Sequence, residues 1–276
     1  MRETSGPLLT LPVHQALLAA RAEGRAAVEC SLDLGRTTTV VEIAPSRWSC
    51  RGREFPYLEA CKERTIYHWA DDRFAPVARF ASSLIKLVPT DWGPPTFEID
   101  GIKMLPTAQV SPYADAERKV GLIQPGGKVI LDTCGGLGYF AAWCLHGQAL
   151  RVESYEKNPD VIWLRSLNPW SPVAGGALTL HNADIAERIG TLPAASVDAI
   201  LHDPPRFGIA GELYSQAFYG ELARVLRPRG LLFHYTGAPN KLTSRRDVPK
   251  EVATRLQRAG FSTEPIGDGV LARRLR

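Results

Sequence analysis

The sequence predicts an α/β chain whose larger part is a doubly wound, mostly parallel sheet, and three observations carry that reading. From residue 128 onward, short apolar strand patterns alternate with helical ones, the order that gives parallel strands joined by right-handed crossovers. The run KVILDTCGGLGYFAAWCLHGQALRVESYE at 128–156 reads as strand, glycine turn, helix and strand. The last residues, FSTEPI, then Gly267-Asp268-Gly269, then VLARRL, read as a hairpin that adds an antiparallel strand at the end.

The elements follow in order. LPVHQALLAARAEG is an apolar-faced helix with Pro12 in its first turn and Gly24 placed to end it. The period then changes to two. AAVECSLDL and TTTVVEIAP flank Gly35-Arg36 as a hairpin, and RWSCRGREF follows as a third strand. Segments 83–89 and 95–104 are further strands, the second turning at Asp100-Gly101. Residues 1–106 thus form a β-rich unit without a nucleotide or metal motif, read either as a cover over the next sheet's carboxyl edge or as the interface of a homodimer. Its ring cluster Tyr67-His68-Trp69 is assigned to core or rim, not to catalysis. Residues 107–276 form the second unit. Ser111-Pro112 caps a helix through Ile123; after the glycine-turn unit come helix 158–167, strand 177–182, a short helix after Asp184, strand 196–201, helix 215–226, strand 230–236 and helix 248–259.

Composition narrows the class. With 276 residues, 45% hydrophobic and 22% charged, the chain can bury an ample core. A net charge of +4 without a block of like charges is too small to argue for a nucleic-acid partner. Five cysteines at 30, 50, 61, 134 and 144 form neither a metal-type pair nor a disulfide framework, which places the chain in a reducing cytoplasm with no metal. The amino terminus lacks a signal pattern, and no stretch is long and apolar enough for a membrane.

The glycine turn is read as a cofactor site because it follows a parallel strand's carboxyl end, where open α/β sheets bind ligands. Glu156 ends the neighbouring strand, where a carboxylate can accept both ribose hydroxyl protons. Gly136, Gly138 and Ala141 also fit the dinucleotide pattern with its acid about 20 residues on, so nicotinamide or flavin is the rival. Asp132 argues against a pyrophosphate, since it ends the first strand and points at the space that group would fill. A cationic, phosphate-free cofactor such as S-adenosylmethionine removes the conflict.

Taken together, DTCGGLGY at 132–139, Glu156, NADIAERI around Asp184 and HDPPRFG at 202–208 resemble the class I S-adenosylmethionine-dependent methyltransferases, with their Rossmann-like seven-stranded sheet and terminal hairpin. More narrowly, SLDLG, PTFEIDGIKM, NPWS and the final RLQRAGF are similar to an uncharacterised group of predicted methyltransferases of mainly archaeal type, and ELYSQAFYGELARVLRPRG is similar to spermidine-synthase-like proteins. The resemblance implies that Gly135, Gly136 and Gly138 face the methionine moiety, Asp132 its amino group, Glu156 the ribose and Asp184 the adenine amino group. Asp184 reads equally as a helix N-cap. Cys134 stands where common members have glycine.

In amino-group methyltransferases of this class the second motif is Asp-Pro-Pro-aromatic, whose carboxylate and proline carbonyl hold the nitrogen's hydrogens and turn its lone pair to the sulfonium methyl. Here Asp203, Pro204 and Pro205 are kept, Arg206 replaces the ring and Phe207 follows it. A guanidinium suits a carboxylate or phosphate, so the expected acceptor is a nitrogen or oxygen of a small anionic molecule. Tyr214 and His234 are placed on the same rim as stacking groups or bases. Alternatives are aminopropyl transfer or cyclisation of the cofactor's aminobutyrate arm, RNA modification, and a non-catalytic cofactor-binding module.

Overall fold

The computed structural model describes residues 6–206, 208, 210–237 and 247–276. They divide into two compact units: residues up to Ala114 together with Trp163–Ser171, and Asp115–Ile162 together with Pro172–Arg276.

The first unit opens with β1 (Leu8–Leu9) and helix α1 (Leu11–Ala22), which starts on Pro12 and buries Leu17 and Ala20. A meander follows: β2 (Ala27–Cys30), β3 (Thr39–Ile43), β4 (Arg47–Cys50) and β5 (Arg53–Pro56), all antiparallel. The expected single strand RWSCRGREF is two strands. Arg51 and Gly52 both take left-handed φ, 51° and 74°, the two-residue hairpin turn that matches strand twist. Then β6 (Tyr67–Ala70) and β7 (Arg73–Pro76) pair with β1, and β8 (Ala78–Phe80), β9 (Leu84–Val88), β10 (Thr96–Ile99) and β11 (Ile102–Lys103) make another antiparallel sheet. The strands at 67–80 were not legible as strands, because their turn is Asp71-Asp72 at φ 51° and 57°, a pair without glycine. Trp48, Phe55, Leu9, Leu17, Val41 and Tyr67 form the core.

The second unit holds most of α2 (Pro112–Ile123), whose first turn is capped by Ser111 Oγ accepting from the Tyr113 N–H at 3.2 Å. Its seven strands are β12 (Val129–Asp132), β13 (Arg151–Glu156), β14 (Leu178–Asn182), β15 (Val197–His202), β16 (Leu226–Tyr235), β17 (Phe261–Ile266) and β18 (Gly269–Arg274). Between them run α3 (Tyr139–His146), α4 (Pro159–Leu167), α5 (Ile185–Arg188), α6 (Gln216–Val225) and α7 (Val248–Arg258). The strand order is β14-β13-β12-β15-β16-β18-β17, with β14 through β16 parallel and β18 antiparallel to its neighbours, the expected terminal hairpin.

Alternation along the strands covers both faces. Leu131, Ile200 and Leu232 join the cluster built by Phe218, Leu222 and Leu256, while the intervening Ile130, Leu201 and Phe233 are fully buried as well. Because the five central strands are parallel, Asp132, Glu156, His202 and Tyr235 all end at the same carboxyl edge. Among the described residues no helix is long and apolar enough to cross a membrane, and no three His, Cys, Asp or Glu are grouped to hold a metal.

Candidate active site

The glycine turn is pinned on both sides by backbone. The Gly135 N–H donates to Tyr155 O at 2.7 Å and the Gly138 N–H to Gly135 O at 2.7 Å. Gly136 and Gly138 have φ of 49° and 81°, a region costly for other residues, and Gly138 begins α3. Glu156 ties the turn to the next strand: Oε2 accepts the Gly136 N–H at 3.0 Å and Oε1 the Asn158 N–H at 2.8 Å. Asp132 is buried and accepts from Ser154 Oγ at 2.8 Å. Asp184 lies beyond β14 as the N-cap of α5, accepting the Ala186 N–H at 2.9 Å, with Lys157 Nζ 3.4 Å from its other oxygen. The capping reading of Asp184 is therefore the one visible in the geometry.

The second motif leaves β15 directly. Asp203 is half-buried, Pro204 buried and Arg206 exposed, and Phe207 lies outside the described residues. Burial pushes the Asp203 carboxyl up to about 6, with the Lys119 charge opposing that rise and Asp115, Asp268 and Asp132 adding to it. Cys134, in the turn after Asp132, has its thiol pushed well up by burial, which rules out a resident thiolate at neutral pH.

Two residues assigned to the rim have other work. Tyr214 is 4% exposed and its hydroxyl donates to the Pro205 carbonyl at 3.1 Å, so it fixes the Pro-Pro turn; burial drives its ionisation upward, away from a base's range. His234 is fully buried, with Nδ1 2.7 Å from the Tyr235 carbonyl and Nε2 2.8 Å from the Tyr219 hydroxyl. A carbonyl only accepts, so Nδ1 carries the proton and Nε2 receives the Tyr219 O–H. Burial lowers His234 to about 4, so it is neutral, with both ring nitrogens engaged inside the protein. His202 is its counterpart on β15: Nε2 donates to Leu213 O at 3.1 Å, Nδ1 accepts from Thr133 Oγ1 at 2.7 Å, and the two imidazoles meet edge to face at 4.5 Å. The sequence placed both at strand ends but could not show that local carbonyls and hydroxyls satisfy them.

The group that sequence reasoning missed is Lys119. Its side chain is 2% exposed, and its ammonium lies 2.6 Å from Asp115 Oδ2, 3.5 Å from Asp268 Oδ2 and 4.1 Å from the centroid of the Tyr235 ring. Arg118 bridges the same two carboxylates at 2.9 and 2.7 Å. A signal existed, since Asp115 and Lys119 have the i,i+4 spacing that joins helix side chains, but Asp268 was read only as part of a Gly-Asp-Gly turn. The result, among the described residues, is an acid-rich strand edge with the buried Lys119 cation in it.

The glycine turn tied to an acidic strand end and the acidic Pro-Pro turn sit on a seven-stranded sheet with an antiparallel hairpin, and this fold is similar to that of solved spermidine synthases. A solved spermidine synthase in complex with the transition-state analogue AdoDATO superposes with a TM-score of 0.58 at 17% identity, covering 71% of this chain and 72% of that one. The spermidine synthase of Thermotoga maritima gives 0.56 at 18% identity, with 71% of each chain covered. The chain belongs to the family of the uncharacterized protein MJ1233 of Methanocaldococcus jannaschii, to which it is 40% identical over 201 residues, 72% of this chain and 69% of that protein. It is also 31% identical over 117 residues to polyamine aminopropyltransferase 2 of Streptomyces coelicolor, 39% of this chain but 21% of that longer protein. No protein-family model matches the chain.

Removing one partner from a buried ion cluster leaves an uncompensated charge, so Asp115→Ala should cost about 3 kcal/mol in urea unfolding, and adding Lys119→Met should recover most of it. Asp203 gives a pH signature. Its carboxyl is raised on folding, so the protonated form favours the native state: that stability is complete below the unfolded value near 4 and is lost as pH rises through about 6. The melting temperature of Asp203→Asn should therefore gain on wild type between about pH 4 and 7. A constant difference across that window would show that Asp203 is not perturbed.

Proposed function

We propose that the chain is an S-adenosylmethionine-dependent transferase that moves a carbon group from the cofactor's sulfonium to a nitrogen, or an oxygen, of a small molecule. One observation carries the reading: Asp203, its carboxyl raised to about 6, leaves the same strand edge as the glycine turn and is influenced electrostatically by Asp132. The residues present suit such a cofactor. Asp132 and Glu156 border the turn, a charge pattern that opposes a pyrophosphate and accommodates a sulfonium with its ammonium and ribose.

In this reading Glu156 takes the ribose hydroxyls, Asp132 the amino group and Asp184 the adenine amino group, while Gly135, Gly136 and Gly138 allow close approach of the methionine arm. The bound cofactor supplies an electrophilic carbon on a positively charged sulfur. Asp203 and the Pro204 carbonyl would accept hydrogens from the acceptor and aim its lone pair at that carbon, and Asp203 would take the one proton the acceptor gives up on transfer. Tyr214 positions the Pro205 carbonyl. The expected preference for an anionic acceptor rested on Arg206, but the carboxylates of Asp115, Asp132 and Asp268 around Asp203 favour an amine. Methyl transfer is the main reading. Aminopropyl transfer is the second, favoured by the partial match to the aminopropyltransferase.

Calorimetry tests the cofactor. Glu156→Ala should weaken S-adenosylmethionine binding by about 1.5–3 kcal/mol, the range for hydrogen bonds to a charged group; tight binding of NAD with none of S-adenosylmethionine would overturn the assignment. Mass spectrometry after incubation with amines tests the group moved. S-adenosylhomocysteine from S-adenosylmethionine marks methyl transfer, and methylthioadenosine from its decarboxylated form marks aminopropyl transfer. In whichever assay turns over, Asp203→Asn should lower kcat by about 10² to 10⁴ with cofactor affinity unchanged, and wild-type kcat/KM should rise with pH through about 6 as Asp203 ionises.

A further inference from the structure

We propose that the β-rich unit carries a second binding site, for a phosphate monoester joined to an apolar body. The unit contains a cavity of about 600 Å³ built wholly from its own residues, within the usual range for small-molecule sites of about 300–1,000 Å³. Its lining combines two kinds of group. Pro7, Leu32 and Pro169, each partly exposed, supply apolar surface over the buried Leu8 and Phe55, and Arg36, Arg51 and Arg53 supply three guanidiniums.

The apolar part is held by the core. The Leu8 N–H donates to Leu32 O at 2.9 Å, and Phe55 is 2% exposed and stacks on Trp48 at 4.6 Å between centroids. The cations are placed by different means. Arg36 donates to the Pro169 carbonyl and lies 5.7 Å from the Trp170 ring, Arg53 lies 5.7 Å from the Phe55 ring, and Arg51 sits at the tip of the β4–β5 hairpin. Among the described residues none of the three is in an ion pair. The one carboxylate in the lining, Asp33, is already held by the Ser31 hydroxyl at 2.8 Å and by the Thr37 N–H and hydroxyl at 2.9 and 2.6 Å.

Three guanidiniums against one carboxylate leave two positive charges facing one concavity without a counter-ion from the protein. A carboxylate ligand would neutralise half of that. A phosphate monoester carries about −1.5 to −2 at neutral pH and presents the oxygens that a guanidinium fork binds in pairs. Inorganic phosphate would leave the partly exposed Pro7, Leu32 and Pro169 surface wet, which is why the ligand needs an apolar body. A free metabolite and the 5′-phosphorylated end of a nucleic acid share this chemistry.

Calorimetry on the full chain separates the two sources. Phenyl phosphate is the probe, chosen without adenosine so that it does not enter the glycine turn, beside inorganic phosphate and a uridine trinucleotide with or without its 5′-phosphate. Phenyl phosphate should saturate, bind at least about tenfold more tightly than inorganic phosphate, and weaken at least about tenfold in Arg51→Gln and further in Arg51→Glu/Arg53→Glu. Both positions are exposed, and unchanged circular dichroism would verify the fold. A phosphorylated trinucleotide that binds tighter than phenyl phosphate names a nucleic-acid end as the source; the reverse order names a free metabolite. Equal binding by wild type and variants, absence of saturation by about 10 mM, or equal affinity for the trinucleotide with and without its phosphate would overturn the site. None of these outcomes depends on S-adenosylmethionine, so this proposal and the transferase reading fail separately.

Discussion

A buried ammonium is the constraint on which the second unit's strand edge depends. Lys119 comes from α2, Asp115 from one turn earlier on the same helix, Asp268 from the final hairpin turn and Tyr235 from the end of β16. Removing a lysine from water costs several kcal/mol, and only close, charge-assisted partners offset it. The helix and the hairpin are thus held to each other by an interaction that fails if either shifts. Crowding constrains the hairpin turn too: a Cβ on Gly267 would lie 3.1 Å from an Arg118 nitrogen, at a φ of +56°. Lys119 also acts on Asp203, whose carboxyl would otherwise rise further among Asp115, Asp268 and Asp132. Structure and chemistry therefore meet in one charge.

Around that point the remaining groups are fixed in neutral or already bonded forms. The His202 and His234 imidazoles carry determined protons, Tyr214 is bound to the Pro205 carbonyl, and Glu156 is anchored to the backbone of the glycine turn. On the proposed transferase function, such an arrangement suits a displacement at carbon, where much of the acceleration comes from alignment of nucleophile, carbon and leaving sulfur. A group already held by packing and hydrogen bonds needs little reorganisation when the acceptor arrives.

The fold was largely legible because its signals are local and repeated. Apolar runs between helical patterns, with a Gly-Asp-Gly turn at the end, reproduce the observed strands of the second unit to within a residue or so, except that β16 begins at Leu226, four residues before the expected start at 230. What escaped is non-local or lacks a marker. The Asp71-Asp72 hairpin has no glycine, and Arg51-Gly52 sits inside a stretch short enough to pass for one strand. In the site, the glycine turn, Glu156 and Asp203 are found at strand ends as expected, since a parallel sheet converts strand ends into neighbours. The burial of His234 and Tyr214 and the partners that hold them were not legible, because exposure and hydrogen-bond partners are tertiary facts. The pairing of Lys119 with Asp268 spans nearly 150 residues, and no periodicity encodes it.

Local charge decides how much weight Arg206 and Asp203 each carry at the second motif. The chain's net charge of +4 is an average over two unlike environments: an acid-rich strand edge with Lys119 as its buried cation, and a cavity of the first unit with three arginines against Asp33. Exposed charges lose most of their reach within about 8–10 Å at physiological ionic strength, whereas buried ones keep it. Arg206 is exposed, and Asp203 leads out of β15 into a setting already shaped by three other carboxylates. Solvent screening therefore weights the half-buried Asp203 carboxyl, with its carboxylate neighbours, more heavily than the exposed Arg206 guanidinium.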